Sequence, residues 1–303
     1  MKPDAAPRNA AARFLVALPY LWVALFLALP FALVAKLSVS QSVLAQPPYA
    51  PVFTWADSWR NWWEKAGTLG LAAYRGLLED PIYLDSLLGS VRLAALATLL
   101  ALVAALPLAW AIARTSPRRR PLLLTLVVAP FWTSFLIRVY ALGGLIKNDG
   151  PLERALAFLH LIDPPLDLYA TQGAIVLGIA YSYLPFMVLP IYNSLEKQDD
   201  TLIEAARDLG AGPLAAFRTI TLPLAMPGVL AGSALVFIPA TGEVVIPDLL
   251  GGSDTLMIGR TLWNDFFGNR DWPAASATAC LLAALLLAPI WFFERDAARG
   301  SRK

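Results

Sequence analysis

Cysteine and histidine are almost missing: Cys280 and His160 are the only ones in 303 residues. A single cysteine excludes an intrachain disulfide. A single histidine without cysteine or histidine companions gives a metal no ligand set. The dipeptide Gly-Lys does not occur, so the phosphate-cradling loop that ends in Gly-Lys-Ser/Thr is absent. If ATP drives this system, another chain hydrolyses it. Neither a metal nor a cofactor is expected on this chain, and no nucleic-acid partner. Charge is also scarce, at 15% of residues, where a soluble domain carries about a quarter.

Hydrocarbon takes the place of charge. Six stretches are apolar enough to enter a bilayer: about 14–37, 90–113, 121–146, 170–195, 226–250 and 272–293. A hydrocarbon core roughly 30 Å thick takes about 20 helical residues. The first run, Phe14 to Ala35, is longer than the apolar core of a cleaved signal peptide, so it reads as an uncleaved span. The expected fold class is an all-α polytopic membrane protein, one domain over residues 1–303 with six transmembrane helices. Prolines recur inside these spans, among them Pro19, Pro107, Pro185, Pro190 and Pro239. Bilayer helices tolerate them where neighbours re-satisfy the freed backbone, which points to a bundle of kinked helices.

Charge placement orients the bundle. Segments 1–13, 114–120, 196–225 and 294–303 hold 14 of the 24 Lys/Arg residues. Excess Lys/Arg marks the cytoplasmic side, so both termini and the 196–225 loop belong there. The 38–89 loop is then external, with Trp55, Trp59, Trp62 and Trp63. Tryptophan at this density suits a membrane–water interface. A self-packed cap and a docking surface for an external protein are the other two readings.

The 196–225 loop has its own helical grammar. Thr201 and Glu204 have the spacing of a capping box. Ala205 and Ala206 permit close approach of another surface. Gly210 ends the helix, since glycine accepts the left-handed conformation there. Pro213 opens a second short helix, on which Leu214 and Phe217 share a face. The run Glu204-Ala205-Ala206, three residues, Gly210, nine residues, Ile220, one residue, Leu222-Pro223 resembles the signature loop of permease subunits of ATP-binding-cassette importers. That resemblance implies a type I importer permease fold, with Glu204, Ala205, Ala206, Gly210, Leu214 and Phe217 docking into an ATPase subunit. Segments 132–141, 183–192, 242–247, 257–260 and 269–273 are similar to the polyamine-importer permeases, and within them to the permeases of putrescine systems. The resemblance implies a non-catalytic subunit in a heterodimer with a second permease. Two ATPases and a periplasmic polyamine-binding protein complete the complex, in the bacterial inner membrane. The cargo it implies is a polyamine, putrescine before spermidine or another cation.

Ionisable residues at membrane depth are functional candidates. Here they are Arg138, Glu243 and Asp248. Counted along straight helices at 1.5 Å per residue, Arg138 and Glu243 lie roughly 25 Å from the inner surface, toward the outer leaflet. One reading has Glu243 meet an ammonium group of the cargo, with Trp132, Tyr140, Tyr181 or Tyr183 adding cation–π attraction. The other pairs Arg138 with Glu243 to hold helices together. Two further function classes compete: a secondary transporter or channel for a small cation, and a membrane enzyme. The first would show paired repeats and mid-membrane carboxylates. The second would need clustered catalytic side chains.

Overall fold

A computed structural model describes the backbone of residues 10–199, 201–252 and 255–300, and the side chains of 16–199, 201–252 and 255–287. The basic side chains at the two ends, Lys2, Arg8 and Arg13 and then Arg295, Arg299, Arg302 and Lys303, lie outside them. The described residues are almost wholly helical, and their one sheet has two strands. The chain divides into two units, residues 1–81 with 262–303, and residues 82–261.

In the first unit, α1 (Ala10–Val23) continues through a wider π turn, Ala24–Ala28, into α2 (Leu29–Ser38). The stretch Val16–Ser38 is long and apolar enough to cross a membrane, and its most apolar 18-residue window has no buried residue. Beyond it, β1 (Gln41–Ser42) pairs antiparallel with β2 (Tyr49–Ala50). Helices α3 (Trp59–Gly67) and α4 (Ala72–Glu79) follow, and α15 (Trp272–Gly300) packs on α2 and α4. Ser58 caps α3 by accepting from the Arg60 N–H. Trp59, Trp62 and Trp63 share one face of α3 at helical spacing. They line a cavity of about 890 Å³ with Leu33, Tyr49 and Phe53. The Lys36 ammonium sits 4.1 Å from the Tyr49 ring centroid and donates to the Pro51 carbonyl at 2.6 Å.

One ion pair ties this lobe together. The Lys65 ammonium lies 2.6 Å from Asp57 Oδ2, which also accepts the Thr54 N–H at 2.7 Å. Lys65 first and the Thr54 amide second hold the Asp57 carboxyl below the usual carboxylate range. A depressed folded value means the stabilisation is complete above the unfolded value, about 4. It is lost as pH falls through the lower folded value. Acidification below pH of about 4 is therefore expected to loosen the tie between the Thr54–Asp57 turn and α3. Tryptophan emission should shift to the red, and D57N should lack that step.

The second unit is built on α5 (Pro81–Arg114), α9 (Gln172–Glu196) and α12 (Leu222–Thr241). Lipid tails are as apolar as leucine, so helices in a bilayer associate through close packing and not through burial from water. The sequence supplies small residues for this. Ala94, Ala97, Ala101, Ala105 and Ala109 form a helix-spaced stripe on α5, all fully buried. On α12, Gly228 and Gly232 bring the backbone against α9 at Pro190, Ile191 and Met187. Between α5 and α9 the chain turns sharply. Helix α6 (Arg120–Val128) ends in a 3-10 turn, Ala129–Trp132. Thr133 then donates both its amide and its hydroxyl to the Pro130 carbonyl, at 3.2 and 2.7 Å. Helix α7 (Phe135–Ile146) leaves at 93° to what precedes it. Helix α8 (Pro151–Phe158) follows.

This bend corrects the depth reckoned for Arg138, which assumed a straight helix from Pro121. Among the described residues, four helices have the length and composition to cross a membrane, a fifth does if the bent pair is one span, and Trp272–Leu287 is a shorter apolar helix. The count of six is not contradicted. Helix α5 begins at Pro81, well before the apolar run that signals it, because the amphipathic turns at Ser86 and Ser90 pack inward. Ser90 Oγ accepts the Ile258 N–H at 2.7 Å, and Thr261 donates to Ser86 Oγ at 3.0 Å.

Candidate functional site

Two places in the second unit carry the residues that the sequence nominates. The first is α10 (Thr201–Asp208). Its C-terminus forms as the sequence requires. Gly210 has φ +85°, its N–H bonds the Arg207 carbonyl, and the Ala211 N–H bonds the Ala206 carbonyl, both at 2.9 Å. Two carbonyls left over at the helix end are thereby satisfied, in the Schellman pattern.

The N-terminus differs from the expected capping box. Thr201 is the first helical residue, not the cap, and Asp199 Oδ1 accepts its N–H at 3.0 Å. That bond, with the Thr201 hydroxyl, holds the Asp199 carboxyl below the usual range. The Asp199 carboxylate is a stronger acceptor than the threonine hydroxyl. Glu204 makes no hydrogen bond or ion pair among the described residues. Glu204 and Ala205 are exposed and Ala206 is partly so. Leu209 is 90% exposed and Leu214 63%. Phe217 is half-buried.

The second short helix is not separate. After α11 (Pro213–Ala216) the chain runs through a π turn, Phe217–Thr221, directly into α12. Pro213 does open α11. Pro223, whose place in the motif marks the passage into the fifth span, falls inside the continuous helix. It has no N–H to place, and the π turn shifts the bonding pattern, with the Leu222 N–H reaching the Phe217 carbonyl.

The second place lies where α12 stops. Gly242, Glu243 and Val244 interrupt the helix before α13 (Val245–Leu250), and α14 (Ile258–Trp263) follows. Glu243 is 8% exposed. Its Oε1 accepts the N–H groups of Val244, Val245 and Ile246 at 3.2, 3.1 and 3.4 Å, capping α13. Its Oε2 accepts the Tyr183 hydroxyl at 2.5 Å.

Arg138 is elsewhere and makes no pair with Glu243 among the described residues. Its guanidinium carbon sits 4.5 Å from the Phe131 ring centroid and 5.7 Å from that of Phe135. Phe131 meets Phe186 edge-on at 5.2 Å, and Phe186 lies 6.1 Å from Tyr183. An unbroken aromatic path therefore links the guanidinium to the carboxylate. Rings in such a path hold cations through their faces and pack through their edges.

The fold thus brings Tyr183 to Glu243 and connects Arg138 to them only through Phe131 and Phe186. It leaves out Trp132 and Tyr140, 77% and 65% exposed, and Tyr181, 41% exposed. Tyr140 lines a separate cavity of about 300 Å³ with Lys147 and Tyr169. Asp248 faces Arg260 Nε at 3.6 Å. Phe131, Phe135 and Phe186 were not singled out from sequence. Phe135 precedes Arg138 by one helical turn and Phe186 follows Tyr183 by one, a spacing that would have found both.

Comparison with known proteins agrees along most of the chain. The family model described as the inner membrane component of binding-protein-dependent transport systems matches residues 96–293. The spermidine/putrescine transport system permease protein PotB of Escherichia coli (strain K12) is 44% identical over 221 residues, covering 72% of this chain and 80% of that protein. PotB of Haemophilus influenzae is 38% identical over 218 residues, covering 72% and 76%. Among solved structures, a bacterial ABC transporter that imports the acidic polysaccharide alginate superposes with a TM-score of 0.66 over 96% of each chain. At 15% identity that likeness concerns the fold alone.

Proposed function

The chain belongs to the inner membrane components of binding-protein-dependent transport systems, and on that premise we propose that it imports a polyamine, most simply putrescine. It is a multi-pass, non-catalytic permease subunit, which sets aside the self-contained secondary transporter and the membrane enzyme. The observation that carries the cargo is the 44% identity to a spermidine/putrescine permease over 80% of that protein's length. In the proposed assembly the termini and the 196–225 loop are cytoplasmic. A second permease completes the pathway, two ATPases dock on α10 and its neighbours, and a periplasmic binding protein delivers cargo. Reconstitution of these chains in liposomes tests the assignment. ATP-dependent uptake of labelled putrescine, with spermidine as competitor, is the expected result. Uptake of some other solute with neither polyamine transported would sink it.

Glu243 supports the cargo class on physical grounds. Its carboxylate is almost fully enclosed, has amide and hydroxyl donors, and faces no cation among the described residues. An ammonium group passing along Phe186 and Tyr183 would supply the missing charge. Two substitutions separate this role from capping. E243Q keeps a carbonyl oxygen for the α13 amides but removes the charge. It is expected to weaken uptake about tenfold or more, the scale of one charge-assisted hydrogen bond. Y183F removes the hydroxyl and leaves the charge, so uptake should stay within about threefold, as for a neutral hydrogen bond. Equal kinetics for E243Q and the unmodified chain would leave Glu243 as a cap only.

A further inference from the structure

The cavity of about 890 Å³ against α3 has walls of Leu33, Phe53, Trp59, Trp62 and Trp63, and two charged side chains line it, Lys36 and Asp57. Asp57 is neutralised, because its carboxylate accepts from the Lys65 ammonium at 2.6 Å. Lys36 is not. Its ammonium donates one hydrogen bond, to the Pro51 carbonyl, and lies over the rings of Tyr49 and Phe53 at 4.1 and 5.4 Å. It makes no ion pair among the described residues, and it is half-buried, within reach of whatever fills the cavity. An ammonium has three N–H donors, so two remain for an acceptor. A cation has no place beside it, since the two rings that would cage one already hold Lys36.

Position and lining say what carries the matching negative charge. Lys36 stands two residues before the end of Val16–Ser38, a stretch able to cross a membrane. The ammonium is then at the level where hydrocarbon meets headgroups, and the tryptophans of α3 suit the same level. Leu33, one turn before Lys36, is exposed, as are Phe31 and Leu29. Through Leu33 the cavity is continuous with the apolar face of α2 that lipid tails cover. A small free anion would meet Lys36 and leave the tryptophan walls bare. A hydrocarbon chain alone would fill the walls and leave the charge. An amphiphile with an anionic head satisfies both.

We propose that this cavity is a site for one anionic phospholipid, with its phosphodiester on Lys36 and an acyl chain against the α3 tryptophans. Lysine serves such a head as a compact point charge. A bound lipid would fix the Trp-rich segment at the bilayer surface. The proposal depends on neither the cargo nor the heterodimer assigned above.

The test uses the full chain, purified in detergent together with whatever subunits accompany it. The probe is phosphatidylglycerol carrying a diazirine on one acyl chain, with the photoadducts mapped by mass spectrometry. Adducts are expected on residues 59–69, competed by unlabelled phosphatidylglycerol but not by diacylglycerol or glycerol phosphate. K36Q keeps a donor for the Pro51 carbonyl and removes the charge. It is expected to lower that labelling about tenfold or more, the scale of one charge-assisted hydrogen bond. K36R should stay within about threefold of the unmodified chain. W63A, which trims the wall and keeps the charge, should lower labelling too, and the contrast between K36R and W63A decides the matter if K36Q does not fold. Labelling elsewhere on the chain and the yield of folded protein are read in the same samples. Unchanged labelling of 59–69 in K36Q would overturn the proposal. Full competition by glycerol phosphate would overturn it in favour of a free anion, and full competition by diacylglycerol in favour of a plain apolar groove. Adducts missing from 59–69 altogether would also overturn it, since protein and not lipid would then cover the cavity.

Discussion

E204K is expected to abolish stimulation of ATP hydrolysis by the loaded binding protein, with the complex still assembled. Glu204 lies in the first turn of α10. A carboxylate there gains about 0.3–1 kcal/mol from the helix dipole. Lysine forfeits that and adds a similar repulsion, which is too little to unfold a helix already closed by the Gly210 turn. Glu204 has no hydrogen bond of its own to lose. Its charge is therefore free for another chain, on a loop whose Leu209 and Leu214 are exposed far beyond what a solvated loop needs. Reversing the charge is expected to break coupling through this one contact while the rest of the interface still holds the chains together. ATPase assays on the reconstituted complex read the effect directly. Normal stimulation by E204K would remove Glu204 from the docking contact, and E204Q should fall between the two.

G228L is expected to eliminate folded chain from the membrane. At Gly228 a Cβ would collide with the Pro190 carbonyl, and would come within 2.6 Å of Ser194 Oγ and 2.8 Å of Ile191 Cα. Two of these are backbone atoms, so no rotamer change relieves them. Helices α9 and α12 would have to separate, and the packed layer of Met187, Ile191, Val229 and Val236 would open with them. Overpacking of this kind costs roughly 1–3 kcal/mol for one or two methylenes. A whole leucine against backbone exceeds that. Gly144 is the internal control, because a Cβ there meets nothing within 4 Å. G144A should gain up to about 1 kcal/mol of helix propensity and raise the melting temperature slightly. Size-exclusion profiles in detergent compare the two. A monodisperse G228L peak at the unmodified height would refute the prediction.

Some of this was legible from the chain alone. Local signals survived best. Gly210 had to close a helix because little else tolerates its φ, and Pro213 had to open one because its ring presets the first turn. The interruption at Gly242 and Glu243 showed as polar and flexible residues inside hydrocarbon. Signals that depend on a neighbour's choice failed. Thr201 looked like a cap until Asp199 took its amide. The second short helix looked separate until the π turn joined it to α12. Arg138 and Glu243 sat at similar counts along their runs and invited a pairing, but the Pro130–Thr133 corner redirected α7 by 93°. Tyr183 and Glu243, 60 residues apart, meet because α9 and α12 pack together, which no local spacing encodes.

The fused helix from Pro213 to Thr241 has a mechanical side. At 1.5 Å per residue it is a rod of about 43 Å. One end grows out of the turn that follows α10, and the other stops at Gly242, one residue before the enclosed carboxylate. A hinge at Pro223 would let the two ends move independently. The π turn leaves the backbone continuous there, so a displacement at the Leu214 end is expected to be felt at the Glu243 end. Glu243 and Tyr183 sit on different rods, and a small roll of α12 against α9 stretches the one hydrogen bond between them. That bond is where a movement of α10 is expected to be read.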